Sequence, residues 1–402
     1  MVRIQEIFGD RILIIIRKIK SAFKLLKGGR IHAFFDRLPF AKQVISSCNL
    51  LPHPQNYDYI LLGGHGLGMT AMFHYLKKIG ARPEEIWSYE IVRPFIFYRN
   101  FSGMVLDKAP LNNQSHKILQ TCTKKVPVYQ IVRDPISVIK SNINVTMFHS
   151  ISKINNKKDA QDKLIEIIKG ISHLMFYFSS QRKLIDHLKL DITYLTMKDI
   201  GESEMPTTLN NFIKRFKLPY NNTKEICSSE SVIKGSIFPR CFPHIFSIDG
   251  GGEFAISTVS RLTNKSLKEI DMNGNVAKKQ DCINKDYYIL KDDIIIDNYQ
   301  DYPLCLVSFT KDTKEELVSK ALIEAYKYID YALLMIEKHN NLMFNEDEII
   351  DFLLDDKNDL LAFSKQLAKD IDDELFYIKK EAPMIFDSFT YTKRFLNHFK
   401  GE

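Results

Sequence analysis

Tyr57–Asp58–Tyr59–Ile60–Leu61–Leu62–Gly63–Gly64–His65–Gly66–Leu67–Gly68–Met69–Thr70 is the stretch that decides the fold. Its first half is a short apolar run of strand-forming residues ending in glycine, and it reads as a buried strand. Beyond it Met72, Phe73, Leu76 and Ile79 keep helical spacing up to Gly80, so residues 69–79 read as a helix. Strand, glycine turn, helix is the order that an anion site needs. Glycines let the backbone approach a phosphate closely, and the N–H groups at the helix start point toward it. Gly64, His65, Gly66, Leu67, Gly68, Met69 and Thr70 are therefore candidate phosphate-binding residues, with the Thr70 hydroxyl as a further donor. The same glycines also suit a tight turn with no ligand. No Gly-Lys-Ser/Thr is present, so this is not a Walker A loop, and the dinucleotide fingerprint spacing is not met cleanly.

A second unit of the same kind follows. Val128–Val132 reads as a strand, Arg133–Asp134–Pro135 as a turn and Ile136 onward as a helix, with Pro135 in its first turn and Asp134 as N-cap. Arg133 at the strand end offers a fork of N–H donors suited to a phosphate or carboxylate, and Ser141, two helical turns on, reaches the same ligand. An Arg–Asp cap with an exposed serine is the structural alternative. Residues 164–188 read as one long helix, followed by a strand over 191–195. This alternation predicts an α/β fold with a doubly wound parallel sheet.

Farther along, Ile294–Ile296 and Leu304–Phe309 read as strands of a small β insertion. Residues 313–338 and 346–380 read as helices dense in charge pairs. Three regions are expected: a basic amphipathic segment over 1–50, a nucleotide-binding core over 51–245, and a mixed, then helical, region over 246–402.

The chain has 402 residues, 45% hydrophobic and 26% charged, enough to bury a large core and too apolar to be mainly disordered. Its net charge of +7 is modest and dispersed, which gives no case for a nucleic-acid partner. The six cysteines form no CxxC pair and suit a reducing, cytoplasmic setting. Ile12–Ile16 is too short to span a bilayer. With Arg11, Arg17, Lys18 and Lys20 around it, the segment 1–45 suits either peripheral contact with an anionic membrane face or packing on the main domain. His149 and His173 lack metal-ligand spacing, and no metal is predicted. Pro239–His244 reads as a Pro-bounded loop.

Asp107–Lys108–Ala109–Pro110, then Val128 to Ser141, then Tyr194–Leu195–Thr196–Met197–Lys198–Asp199–Ile200, resemble three elements of the sulfotransferase superfamily in the right order. The helix after them, with Leu209, Phe212, Ile213, Phe216 and Leu218, is similar to that family's amphipathic segment. The resemblance covers about residues 57–220. It implies a donor, 3′-phosphoadenosine 5′-phosphosulfate, with the phosphosulfate in the Gly64–Thr70 turn and the 3′-phosphate on Arg133 and Ser141. It also implies in-line sulfuryl transfer without a metal. Gly66 stands where that family places a lysine or arginine, so His65 or Lys108 would have to supply the charge. Glu90 lies where the tyrosyl-protein type has its base; a surface glutamate paired with Arg93 is the other reading. The C-terminal extension looks like that of uncharacterised epsilonproteobacterial proteins tied to surface-glycan synthesis, some labelled sugar transferases. That resemblance implies a carbohydrate or glycan acceptor. A sugar or phosphoramidate transferase using another nucleotide, and a non-catalytic interaction protein on a degenerate fold, are the alternatives.

Overall fold

The computed structural model describes residues 57–85, 103–107, 116, 119–120, 122–170, 176–220, 223–227, 237–249, 251–258, 287–300, 302–311, 313–355 and 360–399. The basic segment 1–50, Glu90, Arg93 and the stretch 108–110 lie outside them.

The opening stretch folds as its pattern predicts. Strand β1 (Tyr59–Leu62) is buried at every position, and each large apolar side chain so buried contributes about 1.5–3 kcal/mol. Helix α1 (Met69–Lys78) buries Met69, Met72, Tyr75 and Leu76 on one face and stops at Gly80, whose φ is +82°. Strands β2 (Pro83–Glu85) and β3 (Gly103–Leu106) follow. Next come β4 (Val128–Ile131) and helix α2 (Pro135–Phe148). The described strands of this sheet run in the order β2-β3-β1-β4-β5, with β5 at Ile192–Leu195. The β1·β3 and β2·β3 pairs are parallel. The fold is therefore α/β, and the strand order reverses between β1 and β4. The turns after those two strands flank a topological switch point, where open α/β sheets take their ligands.

The chain divides into two compact units. Met1–Leu62, Ala81–Tyr129 and Ser180–Thr193 form the first; Gly63–Gly80, Gln130–Ser179 and Tyr194–Glu402 form the second. In the first, the Tyr59 hydroxyl donates to the Ala81 carbonyl at 3.1 Å. Gln181 Nε2 donates to the Leu106 carbonyl at 2.8 Å, and the Ile60 N–H to the Pro127 carbonyl at 3.0 Å. These bonds satisfy polar groups that burial would otherwise penalise.

Beyond β4 the chain departs from the sequence reading in three places. The single helix expected over 164–188 is interrupted. Helix α3 spans Lys157–Gly170, residues 176–177 are not helical, α4 spans Phe178–Ile185, and a 3-10 turn, Asp186–Leu188, follows. Phe176 and Phe178 are buried as a tilted pair, and the Phe178 carbonyl accepts from Gln130 Nε2 at 2.9 Å, so the backbone leaves the helical path to reach β4. Next, α5 (Met205–Phe216) and α6 (Thr223–Cys227) lead to the β insertion. The insertion is larger than expected: β6 (His244–Ser247), β7 (Glu253–Thr258), β8 (Tyr288–Ile294) and β9 (Leu304–Ser308) form an antiparallel sheet in the order β6-β7-β9-β8. Strand β8 ends at Ile294, where the sequence reading starts its strand.

Helix α7 (Glu315–Leu342) packs Ala321, Ala325, Ile329, Ala332 and Ile336 against Phe254, Ile256 and Leu306 of that sheet. Finally, the helix expected over 346–380 is three: α8 (Glu346–Leu354), α9 (Leu361–Glu374) and α10 (Phe376–Glu381). Helices α11 (Pro383–Asp387) and α12 (Thr390–Phe399) complete the described chain. Among the described residues no helix is long and apolar enough to cross a membrane.

Candidate functional site

The turn between β1 and α1, the turn between β4 and α2, and helix α2 all belong to the second unit. Gly66 and Gly68 have φ of +81° and +83°, a region that L side chains rarely adopt. A Cβ on Gly66 would lie 2.8 Å from Asn142 Nδ2 and 3.2 Å from the Val138 carbonyl oxygen; one on Gly68 would lie 2.6 Å from Ile200 Cδ1. Both glycines therefore sit against walls, Gly66 against α2 and Gly68 against the Tyr194–Ile200 element. Gly68 is the left-handed N-cap of α1 and, as a glycine, offers that helix start no capping side chain. The first-turn N–H groups of α1 thus lack the side-chain acceptor that an anion would replace. Thr70 and His65 are exposed, Gly64, Leu67 and Met69 buried.

Arg133 closes the turn from the other side. Its Nη1 donates to the Gly66 carbonyl at 2.8 Å. A guanidinium carries five donors, and this bond uses one. Burial pulls the Arg133 pKa below its ordinary range, while the nearby charges of Glu346 and Asp134 oppose that shift.

Asp134 is the N-cap of α2, as its position predicts, accepting from the Ile136 N–H at 3.0 Å. It also accepts from the Thr392 hydroxyl at 2.6 Å and from the N–H groups of Tyr391 and Thr392 at 3.1 and 3.2 Å. The turn after β4 is thereby tied to the start of α12.

Three α2 residues beyond the expected pair take part. Asn142 Nδ2 donates to the His65 carbonyl at 3.3 Å and to Val138 O at 3.0 Å. The carbonyls of His65 and Gly66 are thus both drawn toward α2. Since C=O and N–H are antiparallel across a trans peptide, the Gly66 N–H points away from that helix.

Ser137 Oγ donates to Glu346 Oε1 at 2.8 Å, and Lys140 Nζ lies 2.9 Å from the same oxygen. Burial pushes the Glu346 carboxyl up, and the Lys140 and Ser137 bonds outweigh that, leaving it below the usual carboxylate range. Ser141 is half-buried on α2, one turn past Ser137.

Within the Tyr194–Ile200 element, Asp199 Oδ2 accepts from the Thr196 N–H and hydroxyl at 2.7 and 2.6 Å. The Asp199 carbonyl accepts from Thr208 Oγ1 of α5 at 2.7 Å. That element therefore shapes the wall at Gly68. Asp107 is buried at the end of β3. Glu90 and Lys108 fall outside the described residues, so their expected roles find no placement. Asn142, Ser137, Lys140 and Glu346 are the participants the sequence reading missed. Asn142 carries a signal, an amide in an otherwise apolar helix face; Glu346 carries none, being 209 positions from Ser137.

No protein-family model matches the chain, and no curated protein matches it. A solved structure of a mouse sulfotransferase complexed with PAP is similar at 12% identity, covering 50% of this chain and 74% of that one, with a TM-score of 0.30. A superposition that loose transfers neither fold nor activity.

Proposed function

We propose that this chain is a transferase that seats the phosphate chain of a nucleotide donor in the Gly63–Thr70 turn and passes the activated group to a hydroxyl acceptor. One observation carries the reading: Arg133 Nη1 holds the Gly66 carbonyl at 2.8 Å, fixing a left-handed glycine turn beside a guanidinium at the switch point of the sheet. Transfer by in-line displacement leaves the protein chiefly to position groups and neutralise developing charge. The α1 N–H groups, the helix dipole and Arg133 are the parts suited to that work.

The sequence resemblance to sulfotransferases supports a sulfuryl donor. Another activated nucleotide, such as a nucleotide sugar, is the second reading, and the Gly66 geometry favours it. A side chain at 66 would run into Val138 and Asn142, so the turn has no place for the cation that sulfuryl transfer uses there. A carbohydrate acceptor rests on the resemblance of the C-terminal extension, and the basic segment 1–45 would serve as a peripheral membrane contact.

Calorimetry with a panel of nucleoside diphosphates, nucleotide sugars and adenosine 3′,5′-bisphosphate tests the site. At least one should bind the native protein, and Arg133→Ala should weaken it about tenfold or more, about 1.4 kcal/mol, with melting confirming the fold. No nucleotide binding, or binding indifferent to Arg133, overturns the reading.

A further inference from the structure

Ser137, Lys140 and Ser141 on α2, with Arg133 in the turn that precedes it, make up the start of that helix. Ser141 is four residues and Lys140 three from Ser137, so the three share one helix side, while Arg133, in the turn before the helix, is near enough for the Glu346 charge to act on it. Two cations and two hydroxyls make a face that by composition receives an anion. That anion is already present: Glu346, the first residue of α8, accepts from Ser137 at 2.8 Å and pairs with Lys140 at 2.9 Å.

We infer that Glu346 makes this site selective for a donor whose sugar meets the α2 face with free hydroxyls, and excludes one that brings a phosphate there. The inference rests on the nucleotide reading above. A ribose phosphate carries about −1.5 to −2 charges at neutral pH, and placing it beside a partly buried carboxylate sets like charges together where water screens them poorly. The Glu346 side chain is 16% exposed, so it is shielded yet still reachable. Both bonds from α2 fall on Oε1. A carboxylate has about four acceptor positions, so capacity remains for sugar hydroxyls.

Glu346 is not a latch that swings clear. The corner leading into α8 is pinned on both of its polar edges. Asn144 Nδ2 donates to the Phe344 carbonyl at 2.9 Å, and the Phe344 N–H returns a bond to Asn144 Oδ1 at 2.9 Å. Lys157 Nζ donates to the Met343 carbonyl at 2.8 Å and lies 4.2 Å from the centre of the Phe344 ring. A reciprocal capping box between Asn345 and Glu348 then fixes the helix start that carries Glu346. The carboxylate is therefore a built part of the α2 face, which favours a standing selectivity element over a displaceable inhibitor.

The test is calorimetry of the full chain with ADP and UDP against adenosine 3′,5′-bisphosphate, on the native protein and on Glu346→Gln. The amide keeps the size and the acceptor for Ser137 while removing the charge. Native protein should bind one of the diphosphates at least tenfold more tightly than the bisphosphate. Glu346→Gln should narrow that ratio at least tenfold, through gained affinity for the bisphosphate. Equal or tighter bisphosphate binding by native protein overturns the inference, and needs no variant to show it; so does a ratio that Glu346→Gln leaves unchanged. Loss of all nucleotide binding in the native protein would instead remove the nucleotide reading itself, and the inference with it.

Discussion

The Thr392 hydroxyl lies 2.6 Å from Asp134 Oδ1, across 258 positions of sequence. This bond, with the N–H groups of Tyr391 and Thr392 on the second carboxylate oxygen, makes the last described helix part of the wall of the candidate site. The C-terminal region is thus structural support for the turn that carries Arg133.

Asp134→Ala should therefore destabilise far more than the loss of a surface cap. It strands the Tyr391 and Thr392 N–H groups, each at about 1–3 kcal/mol when buried and unpaired, takes the acceptor from the Thr392 hydroxyl, and leaves the Ile136 N–H only its longer bond to Thr392 Oγ1 at 3.3 Å. A loss of about 3 kcal/mol or more is expected, against about 1–2 kcal/mol for Thr392→Val, which removes one hydroxyl. Urea unfolding compares the two. A loss below about 1 kcal/mol in Asp134→Ala would mean that the junction does not carry the load assigned to it.

Gly66→Ala places a Cβ against Asn142 and Val138 at a φ of +81°, a backbone conformation that costs about 1–2 kcal/mol for an L residue. Nucleotide affinity should fall tenfold or more, because the turn must shift to relieve the contact. Gly66→Lys should do no better, despite restoring the cation that the sequence resemblance expects there. Tighter nucleotide binding by Gly66→Lys in calorimetry would show that the turn admits a side chain, and would remove the main argument against a sulfuryl donor.

The two strand-turn-helix units were legible in the sequence because they are local. Apolar runs, glycines and the Asp134–Pro135 helix start lie within a few residues of one another, and hydrophobic spacing alone places them. What sequence reading missed is non-local. Strand β6 pairs antiparallel with β7 and β7 with β9, and β6 is only half-buried, so it lacks the strong alternation that marks a strand. The break before Phe178 reflects a bond to Gln130, 48 positions away. Glu346 reaches the site through a helix corner whose contacts with Asn144 and Lys157 no local pattern announces.

Stability should fall on acidification before the carboxylates titrate. The His244 ring stacks on Tyr328 with centroids 3.7 Å apart, and burial pushes its imidazole down from 6.5 to about 4. Between those values the unfolded chain binds a proton that the folded chain refuses, so stability is lost as pH drops through that window. His149, lowered by burial and by Arg240, and His339, lowered by burial, act in the same direction. His244→Phe keeps an aromatic stack and removes the titrating group. Its melting temperature should decline less steeply than the native value between about pH 7 and about pH 5, and an unchanged slope would exclude His244 as a source.

Asn142 and Arg133 hold neighbouring peptides of one turn, Asn142 through His65 O at 3.3 Å and Arg133 through Gly66 O at 2.8 Å. The two carbonyls share the backbone rotations of Gly66, so freeing one peptide also loosens the other. Asn142→Ala and Arg133→Lys should each weaken nucleotide binding, and the double variant should lose less than the sum of the two. A double-mutant cycle should show a coupling of at least about 0.5 kcal/mol, against about 0.3–0.5 kcal/mol of scatter for independent sites. Asn142→Asp is the sharper single change. It replaces a donor facing two carbonyl oxygens with an acceptor, so it should weaken binding more than Asn142→Ala does. Strict additivity in the cycle would mean that the two side chains act on separate features, and the turn would not be the single braced unit that its geometry describes.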